Sequence, residues 1–158
     1  MGDLELRAAG AADIPRVLSF WRVAAKDAHR PPDSAAALAA LHLRDPDALI
    51  LAVDGSRAVD GDRAADGDRA ADGDRIVGTV IAGWDGWRCH LYRLAVAPRR
   101  RGEGIGRALI RAAEDRFRVL GGIRVDAMVL DDNEEAHRLW RAAGYRRQEE
   151  WARWVKPL

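Results

Sequence analysis

Three glycines at alternate positions, Gly102, Gly104 and Gly106, follow three consecutive arginines, Arg99, Arg100 and Arg101. They stand at the head of a run with helical spacing: Ile105, Ala108, Leu109, Ala112, Ala113, Phe117 and Leu120. A short apolar run, Leu94-Ala95-Val96, comes before them, and Pro98 stops it because proline gives no donor to a strand ladder. Strand, basic glycine-rich turn and helix together suit an anion. A helix start has unpaired N–H groups and the positive end of its dipole, and glycines let a phosphate approach that backbone closely. A solvated surface turn fits the same residues, so the layout alone leaves both readings open. Two familiar phosphate loops do not fit. A nucleotide loop needs G-x-x-x-x-G-K-[ST], and no lysine lies here. A dinucleotide fingerprint needs its glycines directly after the strand, whereas residues 97–100 intervene.

The elements around this turn follow from periodicity. Leu4, Leu6 and Ala8 alternate with Glu5 and Arg7 as a first strand. Asp13 is a candidate cap and Pro15 a first-turn residue for a helix to about Lys26, with Ile14, Val17, Leu18, Trp21 and Ala25 as its stripe. Pro31 and Pro32 bar its continuation, and Asp33 or Ser34 caps a second helix to about Leu43. Strands are expected over 48–53, 76–84 and 87–96, the last two joined at Trp84-Asp85-Gly86-Trp87. After the central helix, ended by Gly121-Gly122, a strand over 123–129 leads to a helix opened by Asn133 and closed by Gly144. A C-terminal strand or hairpin is expected from Tyr145 to Val155. The fold class is therefore α/β: a mixed, mostly antiparallel central sheet with flanking helices, in the order β-α-α-β-β-β-α-β-α-β. On the strand before Pro98, strict alternation puts His90, Tyr92, Leu94 and Val96 on one face and Cys89 on the other.

Between the second and third strands, AVDGSR, AVDGDR, AADGDR and AADGDR run without a break from Ala52 to Arg75. One Asp-Gly copy would make a hairpin turn, so the other three read as an 18-residue insertion at its tip, a mobile loop at about 54–75 with no chemical role. The spacing lacks an EF-hand pattern and the nine-residue period of calcium β-rolls, and no metal site is expected anywhere in the chain.

At 158 residues one domain is expected. A formal net charge of +1 argues against a nucleic-acid partner. A lone Cys89 excludes an internal disulfide and suits a reducing compartment. No leader-like apolar segment opens the sequence and no apolar stretch is long enough to span a bilayer, so a cytoplasmic protein without a membrane partner is expected. Composition leaves a homodimer open.

In full, Val96-Ala97-Pro98-Arg99-Arg100-Arg101-Gly102-Glu103-Gly104-Ile105-Gly106 reads V-x-P-x-x-R-x-x-G-x-G. It resembles the acetyl-CoA-binding motif of the GNAT N-acetyltransferases. The last helix, Asn133-x-x-Ala136-x-x-Leu139-Trp140-x-x-x-Gly144-Tyr145, is similar to that family's second signature. The element order agrees as well, so the resemblance covers nearly the whole chain. It implies an acetyl-CoA cosubstrate held by backbone from Arg101 through Gly102, Glu103, Gly104, Ile105 and Gly106 to Arg107. It also implies that Leu94, Ala95 and Val96 pair with the pantetheine arm where the strand parts from its neighbour. Asn133 would bond that arm or the parted strand, although a plain helix cap explains it equally well.

The resemblance further implies a base on the strand at His90 or Tyr92. An imidazole can take a proton from an incoming ammonium near neutral pH; the plainer reading is a histidine at the core edge. Tyr92 would orient water or serve as the acid. Trp140 departs from the pattern, because many relatives carry there a tyrosine that protonates the leaving thiolate. An indole N–H cannot do this, so Trp140 is expected to pack beside the acyl group or fill core. A thiol with a pKa of about 8.5 can leave as thiolate unaided. The implied activity is direct acetyl transfer to a primary amine, either a small molecule or a protein N-terminus or lysine. The acceptor side would draw on Trp21, Trp84, Trp87, Trp151 and Trp154, with Asp85, Glu149 and Glu150 as cation partners. A non-catalytic acyl-CoA sensor is the alternative.

Overall fold

A computed structural model of the chain describes residues 4–25, 31–55 and 75–157. Lys26 and most of the hexapeptide repeats lie outside the described residues. The chain divides into two compact units, residues 1–128 and residues 129–158.

The first unit is built on a five-stranded sheet in the order β1-β2-β3-β4-β5: β1 (Leu4–Ala8), β2 (Leu49–Asp54), β3 (Arg75–Trp84), β4 (Cys89–Val96) and β5 (Val125–Ala127). Neighbours are antiparallel except β4 and β5, which run parallel. Every residue of β2 is buried, as expected of a strand covered on both faces. One cover is α1 (Ile14–Ala24) with α2 (Ala35–Arg44); Val17, Phe20 and Trp21 pack with Leu38, Leu49, Leu51, Val53, Ile76 and Ala95. Each buried valine, leucine, isoleucine or phenylalanine among them contributes about 1.5–3 kcal/mol by leaving water. The other cover is α3 (Ile105–Val119), whose buried stripe is Ile105, Leu109, Ile110, Ala113 and Phe117. Gly78 allows α3 to come this close: a Cβ there would lie 2.9 Å from both Ile105 Cγ2 and Leu109 Cδ1. Arg116 ties α3 down from above, donating to the Ala82 carbonyl at 3.1 Å and pairing with Asp45.

Caps were only partly legible. Ser34 caps α2, its Oγ accepting from the Ala37 N–H at 3.1 Å. Asp13 makes no such bond to α1. It ends a short 3-10 turn (Ala11–Asp13) and turns its carboxylate back to the Gly10 N–H at 2.9 Å, to Arg7 at 2.7 and 3.0 Å, and to Arg16 at 3.0 Å. These partners, the Arg7 hydrogen bond foremost, hold its pKa below the usual carboxylate range.

In the second unit, α4 (Glu134–Ala142) is capped by Asn133, whose Oδ1 accepts from the Ala136 N–H at 3.2 Å. The expected C-terminal strand does not form: residues 145–157 contain no strand, and Trp151 and Trp154 are exposed. Five consecutive polar residues, 146–150, give that segment no apolar face to bury. Among the described residues no helix is long and apolar enough to cross a membrane, and no group of three or more His, Cys, Asp or Glu side chains could hold a metal ion.

Candidate functional site

Between the end of β4 and the start of α3 the chain makes a 3-10 turn (Pro98–Arg100) and then the glycine turn. Gly102 has φ +81° and Gly104, the N-cap of α3, has φ +85°. A Cβ at either would meet nothing within 4 Å, so these glycines are required by backbone conformation and leave an open surface beside the helix start. The arginines serve the loop in different ways. Arg100 pairs with Asp54 at the end of β2 and donates through Nε to Glu103 at 2.7 Å. Glu103 and then Asp54 raise its already high pKa further. Arg101 folds back, its guanidinium 3.4 Å from the Val96 carbonyl and 3.4 Å from that of Ala24. Both side chains fix the loop's shape, and Glu103 appears in the structure as a partner of Arg100. Ile105 and Gly106 are buried at the first turn of α3, with Arg107 exposed beside them.

The second half of the site is the strand before the loop. Its pairing with β5 covers only Cys89↔Val125, His90↔Asp126 and Leu91↔Ala127, yet β4 continues to Val96. From Tyr92 onward that edge has no β5 residue opposite it. On the other edge, Ile81 pairs with Tyr92 but Thr79 pairs with Ala95, so β4 has one residue more than β3 over this step. Such a bulge breaks period-two alternation. Tyr92 and Ala95 therefore share a face with Ile81 and Thr79, while Val96 shares the opposite face with Gly78. The single face expected for His90, Tyr92, Leu94 and Val96 is thus corrected: His90 and Tyr92 lie on the face toward α1, and Val96 lies on the face toward α3.

Arg93 sits at the bulge with φ +51°, the only non-glycine residue with positive φ among those described. Its carbonyl accepts from the Thr79 hydroxyl at 3.0 Å, and Thr79 Oγ1 accepts from the Trp21 indole N–H at 2.8 Å. Its guanidinium lies over the Trp21 ring, 4.3 Å from the centroid, and pairs with Asp33. Trp21 is 2% exposed and Thr79 is fully buried, so Trp21 is core rather than part of an acceptor cage.

His90 and Tyr92 are neighbours on the strand, ring centroids 5.8 Å apart and tilted by 37°. Tyr92 is 46% exposed; His90 is half-buried and lies opposite Gly83. Gly83 makes room for the tyrosine, since a Cβ there would stand 3.0 Å from the ring. The adjoining turn is held by Asp85, whose Oδ1 accepts from the N–H groups of Trp87 at 2.8 Å and Arg88 at 2.6 Å. Those two bonds, Arg88's first, lower its pKa. Cys89 is buried on the opposite face, where a Cβ on Gly122 would be 2.3 Å from its sulfur; burial pushes its thiol pKa up. A buried, protonated thiol makes a poor nucleophile.

Within the second unit, Asn133 is the cap of α4, and Trp140 is 8% exposed with Tyr145 edge-on at 4.8 Å. Trp151 and Trp154 are exposed there, as Trp87 is in the first unit, where Arg88 stacks on it at 4.5 Å. Periodicity missed the residues that matter most to the shape of β4: Thr79, Arg93 and Asp33. None belongs to a motif, and an arginine in left-handed backbone has no signature in sequence.

Comparison with known proteins agrees with this geometry. Residues 26–145 match the family model described as Acetyltransferase (GNAT) family. Among solved structures, Ard1 from Thermoplasma volcanium superposes with a TM-score of 0.65 at 22% identity, over 89% of this chain and 81% of that one. The NatC complex bound to Gag peptide and CoA gives 0.65 at 17% identity, over 92% and 86%. The aminoglycoside antibiotic 6'-N-acetyltransferase AAC(6')-IG from Acinetobacter haemolyticus gives 0.63 at 18% identity, over 98% and 99%. The structural likenesses show a shared fold, and the family match spans most of the chain. With its glycine turn opening α3 beside the end of β4 that outruns β5, this protein belongs to the GNAT family of acetyltransferases.

Proposed function

We propose that the chain, as one acetyltransferase domain, moves an acetyl group from acetyl-CoA directly to a primary amine. The observation that carries this reading is the adjacency of two main-chain surfaces. One is the open glycine turn at the head of a 15-residue helix; the other is the β4 edge that outruns β5. The turn suits a diphosphate, whose charge meets the helix N-terminus and whose bulk meets no Cβ at Gly102 or Gly104. The edge from Tyr92 to Val96 suits an extended amide-bearing arm, which would add to the sheet as a strand does. Acetyl-CoA supplies the activated acetyl group. Structures of the same fold hold CoA and a peptide in one case and act on an aminoglycoside in another, so both a peptide amine and a small-molecule amine stay within the proposal.

The chain's residues then have definite tasks. His90, on the α1 face and half-buried, takes the proton of the incoming ammonium, directly or through one water. Tyr92 beside it orients that water. As the amine nitrogen bonds to the acetyl carbon and the carbon–sulfur bond breaks, the electron pair leaves on sulfur as thiolate, and the proton that the nitrogen sheds on becoming an amide passes to that thiolate or to water. The Leu94 N–H at the bulge donates to the carbonyl oxygen while it carries negative charge. Most of the acceleration comes from placing amine and thioester together.

Calorimetry with coenzyme A, followed by thiol release from acetyl-CoA over a panel of amines and peptides, tests the reading. Heat of binding and turnover on at least one acceptor are expected. Absence of CoA binding sinks it. Binding without turnover on any amine or peptide instead favours a non-catalytic acyl-CoA sensor, the reading that the tryptophan at position 140 keeps in view.

A further inference from the structure

The bulge of β4 has an internal support that the motifs do not include. We infer that Trp21 and Thr79 are positioning residues for acyl transfer: their hydrogen-bond chain sets the peptide plane between Arg93 and Leu94 so that the Leu94 N–H faces the reacting carbonyl. This rests on the acetyl-CoA reading above and extends it to two buried side chains on α1 and β3.

The planarity of one peptide links these side chains to the Leu94 N–H. No cis bond occurs among the described residues, so the carbonyl of Arg93 and the N–H of Leu94 point in opposite directions from a common plane. Thr79, on β3, donates to that carbonyl at 3.0 Å and draws it toward β3. The Leu94 N–H is thereby turned away from β3, toward the edge of β4 where pairing with β5 has already stopped at Leu91. Thr79 can hold this orientation because its own oxygen is fixed in turn by the Trp21 indole N–H at 2.8 Å, in a fully buried setting. A buried hydrogen bond of this kind is hard to swing aside, since either partner left alone would keep an unpaired polar group. The Arg93 side chain closes the arrangement from above, stacked on the same Trp21 ring and paired with Asp33. Left-handed backbone at a non-glycine residue is unfavourable and persists only where the surroundings over-determine it. Here three side chains from two helices' surroundings and one strand do so.

A purely structural role for Trp21 and Thr79 would affect melting alone. A positioning role also affects the bond to the bound carbonyl. The test uses the full chain with [1-13C]acetyl-CoA as probe, reading the thioester carbonyl stretch by difference infrared spectroscopy and the Kd by calorimetry. In the unmodified chain and in Thr79→Ser, which keeps the hydroxyl, the stretch is expected at lower frequency than for free acetyl-CoA. Thr79→Val and the double variant Trp21→Phe/Thr79→Val are expected to lose roughly half of that displacement or more, with Kd altered less than about threefold. The double variant removes the indole donor together with the hydroxyl, so the one group it strips of its partner is the Arg93 carbonyl, the change under test, and it reports where Thr79→Val, which also strands the indole N–H, fails to fold. A displacement kept in the double variant, or lost equally in Thr79→Ser, overturns the inference. A normal Kd with no displacement in the unmodified chain also overturns it and leaves the CoA reading standing. Absence of binding to the unmodified chain removes both.

Discussion

The two walls of the site reach unusual backbone conformations by opposite means. The loop wall uses glycine at both left-handed positions, Gly102 and Gly104, with open space around each. The strand wall uses an arginine, Arg93, held at φ +51° by Thr79, Trp21 and Asp33. In the loop, residue type removes the cost of the conformation at the two glycines, and the contacts of Arg100 with Asp54 and of Arg101 with the Ala24 carbonyl hold the turn in place without having to offset strain. At the bulge, tertiary contacts offset a cost that the residue itself incurs. A loop of the first kind belongs to its own few residues and can be read locally. A bulge of the second kind belongs to α1, β3 and the segment before α2 as much as to β4. Damage to the loop should therefore appear in cofactor binding, and damage to the bulge in chemistry and stability.

The largest expected effect breaks the loop wall alone. Gly104→Asp sets a carboxylate at the helix start where a diphosphate would lie, and should weaken CoA binding at least about 100-fold by like-charge repulsion and occlusion. Calorimetry checks it; a Kd within about tenfold of the unmodified chain would place the diphosphate elsewhere. Next comes the strand wall's own chemistry. His90→Ala should lower turnover about 100-fold and flatten its rise with pH, while CoA binding stays as it was. An unaltered pH–rate profile in that variant would exclude His90 as the base.

The same contrast explains what could be read in the sequence. The glycine turn was legible because its conformation is written in glycines at fixed spacing, and the helices were legible because stripes such as Ile105, Leu109, Ala113 and Phe117 repeat with the helical period. Strand β2 was legible as a run of apolar residues. The bulge was not, because no residue type at 92–95 announces it and its determinants, Trp21 and Thr79, lie 72 and 14 residues before Arg93 in sequence. Missing it misassigned the face of Val96. The C-terminal strand failed for a different reason: aromatic residues at Trp151 and Trp154 suggest a strand, but the polar run before them supplies nothing to bury. Asp13 was placed correctly at the head of α1 yet given the wrong partner, because Arg7 and Arg16 compete successfully for its carboxylate.

Stability of the bulge gives a sharper version of the comparison. Arg93→Gly removes the strain of positive φ, a gain of about 1 kcal/mol. It also removes a guanidinium stacked on a buried indole, about 2 kcal/mol when desolvated, and the pair with Asp33. The net expectation is a loss of about 2 kcal/mol in denaturant unfolding. Were the bulge like the loop, glycine there would stabilise, so a rise in stability would erase the distinction between the walls.

The smallest effect concerns α1, which carries Trp21 to the bulge and whose start is pinned by Asp13. The folded pKa of Asp13 is depressed by Arg7, with Gly10 and Arg16 adding to it. A depressed carboxylate contributes stability that is complete above its unfolded value, near 3.9, and is lost as pH falls through the lower folded value. Asp13→Asn forgoes that contribution at every pH. At neutral pH the variant should be about 1 kcal/mol less stable, a figure kept modest because Arg7 is partly open to solvent. As pH falls below about 4, the unmodified chain loses the same increment and the two stability curves should converge. Coincident curves from neutral to acid pH would mean that asparagine keeps the useful bonds and the ion pair adds nothing. In that case α1 is seated by its apolar stripe, and the strand wall depends on packing more than on charge.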